Sequence, residues 1–294
     1  MSESQHSGHI LITGASTGIG RTTAIHLATI GFHVFAGVRR ETDGQSLEAD
    51  GGGRITAVRI DVADDASIAS AFEMIRTTVA DDGLLGVVNN AGIGVFGPIE
   101  HLSRDEWHRQ FNVNVFGPIA VTQAALPLLR AHVQRHGRGS ARLVNISSIA
   151  GKIAQPILAP YSASKFALES VSDSLRLELR PQGILVCLVN PGAIDTPIWK
   201  KGEASEAAIP PDHPARQLYG SMIDRVTDAA KNAAKTAIPP IAVAKAVEAC
   251  LTKRRPKIRT FVGRDARGGA IAKAIMPDRF FDAFLARYYG VPKE

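Results

Sequence analysis

The stretch His9-Ile10-Leu11-Ile12-Thr13-Gly14-Ala15-Ser16-Thr17-Gly18-Ile19-Gly20 decides the fold. His9–Thr13 reads as a buried strand, and the residues from Gly18 to Ile30 read as a helix. Gly14, Gly18 and Gly20 mark the junction. Glycine permits a tight turn, lets backbone come close to a pyrophosphate and lets the helix pack against the strand. The N–H groups exposed at the helix start would then face phosphate oxygens. No Gly-Lys-Ser/Thr follows, so the turn is not a P-loop. Taken alone, such a turn is weak evidence, with an ordinary strand–helix junction as its other reading.

Working outward, the same alternation continues. His33–Val38, Ile55–Ile60, Gly86–Asn89, Arg142–Ser147 and Ile184–Asn190 read as strands, and Ala66–Val79, Ser103–Arg130 and Tyr161–Arg180 as helices. Strand and helix in turn imply parallel pairing, because a parallel neighbour is reached only through a crossover. The strand runs lack polar alternation, as expected where both faces are covered. The expected fold is α/β: a Rossmann-type doubly wound parallel sheet of about seven strands, with helices on both faces. It is expected to form one domain over residues 1–294, with a core at 8–197, a substrate lid at 197–240 and C-terminal helices and a last strand at 241–294. The lid is proline-rich around one helix, Ala215–Lys235. Beyond it, Ile241–Leu251 reads as a helix, Lys257–Val262 as a strand and Phe280–Tyr289 as a short amphipathic helix.

A chain of 294 residues, 45% hydrophobic and 21% charged, has the balance of a soluble globular protein. It is long enough to bury its own core without a disulfide or metal staple. Cys187 and Cys250 lie in apolar stretches and are too few for a framework or a metal cluster. Buried reduced thiols, a cytoplasmic setting and no metal are therefore expected. The start of the chain lacks the apolar run of a signal peptide, and no run approaches a membrane span. The net charge of +6 gathers at the end: Leu251–Glu294 holds eleven Lys/Arg against four Asp/Glu.

Tyr161 and Lys165 are four apart on a predicted helix and so share a face. Such a pair by itself is usually a solvated helix surface. A free phenol titrates near ~10, and a neighbouring ammonium lowers that value and makes the phenol a usable acid–base group. Ser148, at the end of a buried strand, lies thirteen residues upstream of Tyr161.

With these motifs in chain order, the sequence resembles the short-chain dehydrogenase/reductase family, closely over residues 8–197 and loosely beyond. The glycine spacing Gly14-x-x-x-Gly18-x-Gly20, Asp61-Val62, Asn89-Asn90-Ala91-Gly92, Asn114, Ser148, Tyr161-Ser-Ala-Ser-Lys165, Pro191-Gly192 and Thr196 carry the resemblance. It implies a nicotinamide cofactor held by Gly14, Ser16, Thr17, Gly18, Ile19, Gly20, Arg39, Asp61, Val62, Asn90, Ala91, Gly92, Tyr161, Lys165, Pro191, Gly192, Ile194 and Thr196. It implies catalysis by Asn114, Ser148, Tyr161 and Lys165. Tyr161 would be the general acid/base and Ser148 would hold the substrate oxygen, with Ser147 as the alternative. Lys165 would bind the nicotinamide ribose, and Asn114 would hold a water on a proton path; a satisfied core amide is the other reading of Asn114.

NADP(H) is favoured and NAD(H) stays open. The family's acidic position is Val38 here, followed by Arg39, whose guanidinium suits a 2′-phosphate. Thr17 stands where many NADP-preferring relatives carry a basic residue. Ile149, Ile153, Ile194, Trp199, Tyr219 and Met222 lie near the expected pocket and suggest a greasy substrate, though each could simply pack the lid. The layout resembles the hydroxysteroid/retinol dehydrogenase branch, which implies a secondary or primary alcohol and its carbonyl on a steroid-, retinoid- or lipid-like molecule. In the family the two long helices pair subunits, so a homodimer or homotetramer is expected. The Phe280, Phe281, Phe284, Leu285 and Tyr288 stripe reads as core or subunit contact; peripheral contact with an anionic membrane is the lesser reading, and no nucleic acid is expected. The competing functional reading keeps the fold as a cofactor sensor or scaffold without turnover. Longer epimerase-type relatives fit less well in glycine spacing.

Overall fold

The computed structural model describes residues 6–196, 209 and 212–291. Seven parallel strands form one sheet: β1 (His9–Ile12), β2 (His33–Val38), β3 (Ile55–Arg59), β4 (Gly86–Asn89), β5 (Ala141–Ile146), β6 (Ile184–Pro191) and β7 (Arg259–Val262). Their order is β3-β2-β1-β4-β5-β6-β7, so the direction of winding reverses between β1 and β4. In an open parallel sheet that reversal leaves a crevice at the carboxyl ends of the strands, where ligands bind.

Side-chain alternation within the apolar runs explains why they lack a polar face. Ile10 and Ile12 point into one core with Val34, Val144 and Val189. That layer is closed by Ala24 and Leu27 of α1 (Gly18–Thr29) and by Val243 and Val247 of α8 (Ile241–Thr252). Leu11, Phe35, Val87 and Leu143 point the other way. They meet α3 (Asp65–Val79) through Phe72 and Ile75, α5 (Gly117–His136) through Val121 and Leu129, and α6 (Ala159–Leu179) through Leu179. Each strand thus buries both faces. Cys187 and Cys250 are free, buried thiols as expected.

Three features depart from the sequence reading. The long helix Ser103–Arg130 is a composite: α4 (Arg104–Phe111), a π-helical turn Asn112–Phe116, then α5. Its start is capped by Ser103, whose hydroxyl accepts from Glu106 N while the Glu106 carboxylate accepts from Ser103 N. Two further helices, α2 (Glu41–Asp50) and α9 (Arg264–Ile275), gave no periodic signal. Only Gly44 and Leu47 are buried in α2, and only Ala266 in α9, so neither has an apolar stripe to read. The last strand begins at Arg259, two residues later than expected.

In the segment read from the sequence as a substrate lid, α7 (Ala215–Lys235) has the expected bounds. Ile223 and Val226 of α7 pack with Ile157, Ile209 and Tyr289 in a small separate core. The aromatic stripe of α10 (Asp278–Tyr289) is split. Phe281 is buried and Leu285 packs toward the lid, whereas Phe280, Phe284 and Tyr288 are exposed. By length and composition, Arg104–His136 could cross a membrane; half of that window is buried.

Candidate active site

The crevice at the reversal is built by β1, β4 and the loops leaving them. Thr13 Oγ1 accepts from Asn90 N and Ala91 N, both at 3.1 Å. The Asn90 side chain returns two 3.0 Å hydrogen bonds, to Thr13 O and Gly14 O. The two strand ends are clamped together, and the glycine turn is fixed on top of them. Gly14 and Gly18 sit at φ +65° and +55°, where a side chain is strained. A Cβ on Gly20 would lie 2.3 Å from Gly14 O and 2.5 Å from Asn90 Nδ2. Helix α1 starts with no side-chain cap and no acidic residue in its first turn. Its first N–H groups are left for an anion. The turn therefore fits a dinucleotide pyrophosphate.

Around the crevice, Asp61 and Val62 follow β3, and the buried Val62 packs where Gly117 allows close approach. Pro191 ends β6, and Gly192 N donates to Val262 O at 2.9 Å. Ala193 N donates to Asp265 at 2.7 Å, and Thr196 Oγ1 donates to Ile194 O at 3.4 Å. The Ile194 side chain is buried in the main core, so only its backbone is placed to meet a cofactor. At the end of β2, Arg40 is held by Asp43 through two 3.0 Å hydrogen bonds. Arg39 is exposed beside it, with no hydrogen bond or ion pair to any described residue.

Tyr161, Lys165 and Ser148 converge at the same carboxyl edge. Lys165 Nζ lies 5.8 Å from the centre of the Tyr161 ring and donates to Ile146 O at 2.8 Å. The Ser148 hydroxyl faces the Tyr161 phenol as a hydrogen-bond partner and accepts from Ala150 N at 3.1 Å. Ser147 points elsewhere: it is buried beneath Gly151 and faces Glu169. Burial pushes the Tyr161 phenol above its ordinary value, and the Ser148 hydrogen bond offsets part of that. Burial pushes the Lys165 amine down to about 8, against a smaller opposing pull from Glu169. Without cofactor, then, the phenol is neutral and the amine gives up its proton only above about pH 8.

Asn114 sits in the π-helical turn, a distortion common at functional positions. Its Oδ1 accepts from Ile93 N at 2.9 Å, and its Nδ2 donates to Ile93 O at 3.0 Å and Ser164 Oγ at 3.2 Å. Both amide hydrogens are used, so the side chain can hold a water only through the second lone pair of Oδ1.

Several supporting residues escaped the sequence reading. Gln110, one helical turn before Asn114, accepts from Val95 N at 2.7 Å and donates to Ile93 O and Ser164 Oγ. Ser164 donates to Tyr161 O at 2.7 Å and so ties α6 to this group. The spacing Gln110–Asn114, i to i+4, was the available signal. Glu169, one turn beyond Lys165, is buried among Lys152 (2.8 Å), Arg259 (2.7 Å) and Asn190 (2.5 Å). Asn190 also donates to Ser148 O at 3.2 Å. Burial pushes the Glu169 carboxyl up, but these donors outweigh it and hold it below the usual range. Ile157, just ahead of α6, has φ +66°, an outlier for a β-branched residue.

The substrate-side candidates are scattered. Ile149 and Ile153 pack on Gly269 of α9. Tyr219 Oη donates to Glu100 at 2.7 Å, and both Tyr219 and Met222 pack in the lid core near Ile157 and Leu158. Trp199 lies outside the described residues.

An edge of this kind belongs to oxidoreductases that carry a nicotinamide dinucleotide on a parallel sheet. The chain is a member of the short chain dehydrogenase family, whose profile matches residues 8–207. Among its relatives is an NADPH-dependent 3-dehydrocapnine reductase of Ornithobacterium rhinotracheale. It is 34% identical over 93% of this chain and 94% of that protein. Retinol dehydrogenase 5 of Mus musculus is 35% identical over 94% of this chain and 87% of that protein. These relatives support the hydroxysteroid/retinol branch. Among solved structures, a short-chain dehydrogenase from Streptomyces avermitilis has a TM-score of 0.75 at 27% identity, covering 99% of this chain and 98% of that one. One from Burkholderia cenocepacia, in complex with NADP, has a TM-score of 0.70 at 26% identity, covering 96% and 98%.

Proposed function

We propose that this oxidoreductase interconverts an alcohol and its carbonyl on a hydrophobic, lipid-like substrate, with NADP(H) as its preferred cofactor. The reading rests on the convergence of Tyr161, Lys165 and Ser148 beside the glycine turn. When bound, the dinucleotide supplies the hydride chemistry. The chain supplies the proton and the orientation. Ser148 donates to the substrate oxygen and steadies the charge that develops there. Tyr161 takes the hydroxyl proton during oxidation and returns it during reduction. Lys165, in its ammonium form, favours the phenolate and holds the ribose hydroxyls. Asn114, fixed through Ile93 and Ser164, holds a water that passes the proton outward.

Arg39 supports the cofactor preference, because Arg40 is already paired with Asp43 while Arg39 stays uncommitted and exposed. The NADPH named in one relative and the NADP in one neighbour agree with it. The apolar lid over Ile157, together with relatives whose names include a retinol dehydrogenase, supports a greasy substrate.

Tyr161→Phe tests the assignment. Turnover of a panel of steroid, retinoid and aliphatic alcohols and ketones is expected to vanish while cofactor affinity stays unchanged. A variant that keeps a tenth or more of wild-type activity refutes the role of the phenol.

A further inference from the structure

At the amino-terminal edge of the sheet, opposite the crevice, three imidazoles, those of His9, His132 and His136, gather around the Asp82 carboxylate. His9 opens β1 and His33 opens β2, Asp82 immediately precedes the approach to β4, and His132 and His136 lie one turn apart near the end of α5. His136 Nε2 is 2.7 Å from Asp82 Oδ1, and His9 Nδ1 is 3.6 Å from Asp82 Oδ2. His132 Nδ1 bonds Asp82 O at 2.9 Å, and the His132 and His136 rings are 4.2 Å apart. One donor atom each from Asp82, His132 and His136 falls within 4.8 Å of the others. His9 Nδ1 is buried and makes no hydrogen bond.

This arrangement is poorly served by protons alone. Like-charged imidazoliums would repel one another around a single carboxylate, and Arg135 adds a further positive charge 3.4 Å from Asp82 Oδ1. The bond from His132 Nδ1 to a carbonyl oxygen requires that nitrogen to carry the hydrogen, which leaves Nε2 its lone pair. That is the tautomer selected in metal sites when a carbonyl oxygen accepts from the ligand's other ring nitrogen.

We propose that His9, Asp82, His132 and His136 form a closed site for a divalent transition metal of the zinc class. Four donors at about 2.0–2.2 Å in tetrahedral array stand roughly 3.3–3.5 Å apart. Asp82, His132 and His136 already place their donor atoms within 4.8 Å of one another, and His9, whose Nδ1 lies 3.6 Å from Asp82 Oδ2, turns its ring toward the two imidazoles to complete the four. The His136–Asp82 bond opens by less than about 1 Å, a movement the exposed His136 ring can make, and the exposed Arg135 swings into solvent. Three imidazoles and one carboxylate favour zinc over magnesium or calcium, which take oxygen ligands. With all four positions filled by protein, the ion is structural. It ties β1, the entry to β4 and the end of α5 together, far from the catalytic edge. The four residues are scattered from position 9 to position 136, with no metal-binding spacing beyond the His132–His136 pair, so the sequence alone gives no reason to expect the site.

The test uses the full chain without a polyhistidine tag, free of cofactor, titrated with Co2+ and then Zn2+. One equivalent of Co2+ is expected to give the visible bands of a tetrahedral ion, to be displaced by Zn2+, and Zn2+ is expected to raise the melting temperature. His136→Ala, an exposed position, and His132→Ala each weaken binding at least tenfold, whereas Arg135→Ala does not weaken it. Absence of the Co2+ bands overturns the proposal. So does unchanged affinity in His136→Ala, which would mean an ion held elsewhere.

Discussion

Removing the Lys165 amine provides a direct physical test of the site. The amine is buried and its protonation midpoint is pushed from 10.5 down to about 8. Below pH 8 the folded and unfolded chains both carry the proton. Between about 8 and 10.5 the unfolded chain holds a proton that the folded one has released. Stability rises with pH wherever the unfolded state binds more protons, so alkali favours the fold through this group. At about pH 9.5 the medium lies roughly 1.5 units above the folded midpoint, which corresponds to about 2 kcal/mol. Lys165→Met lacks the effect. In urea unfolding of cofactor-free protein, followed by circular dichroism at fixed protein concentration, the wild type should gain about 2 kcal/mol on the variant between pH 7 and about 9.5. The Met variant should also lose turnover. If the stability difference stays flat across that range, the amine is not desolvated in the fold, and the account of how it tunes Tyr161 fails.

Two further substitutions probe the cofactor side. Gly20→Ala places a methyl 2.3 Å from a backbone oxygen, so the turn or the start of α1 must shift. Dinucleotide affinity, measured by quenching of protein fluorescence, should fall at least tenfold, and an unchanged affinity would mean that the turn does not cradle the phosphates. Arg39→Ala removes a charge-assisted partner worth about 1.5–3 kcal/mol. The KM for NADPH should rise tenfold or more while that for NADH changes less than twofold; equal changes would remove Arg39 from the 2′-phosphate.

Much of the fold was legible because burial on both faces of a parallel sheet leaves an unmistakable trace: short β-rich apolar runs, each followed by an amphipathic stretch. The glycine turn and the Tyr161–Lys165 pair were equally readable, since each depends on local spacing. What stayed hidden is what local spacing does not encode. Helices α2 and α9 bury too little to show a period. The π-helical turn around Asn114 leaves the helical apolar pattern nearly intact while changing the hydrogen bonding beneath it. Glu169 meets Arg259 across 90 positions, so the buried charge group behind Ser148 is a product of topology alone. Ile194 reads as a pocket residue in a loop, yet its neighbour across the chain, Ile238, draws it into the core.

The distorted turn between α4 and α5 amounts to one surplus residue in a rod that could otherwise run unbroken from Arg104 to His136. Deleting a single codon there would let the backbone relax into uniform winding. The halves on either side would keep their faces, while Asn114, inside the wide turn, would lose the position that the extra residue gives it. Gln110 and Asn114 would no longer both reach Ser164, which each now contacts from the same side. Uniform winding and the placement of Asn114 thus make opposite demands on the same five residues.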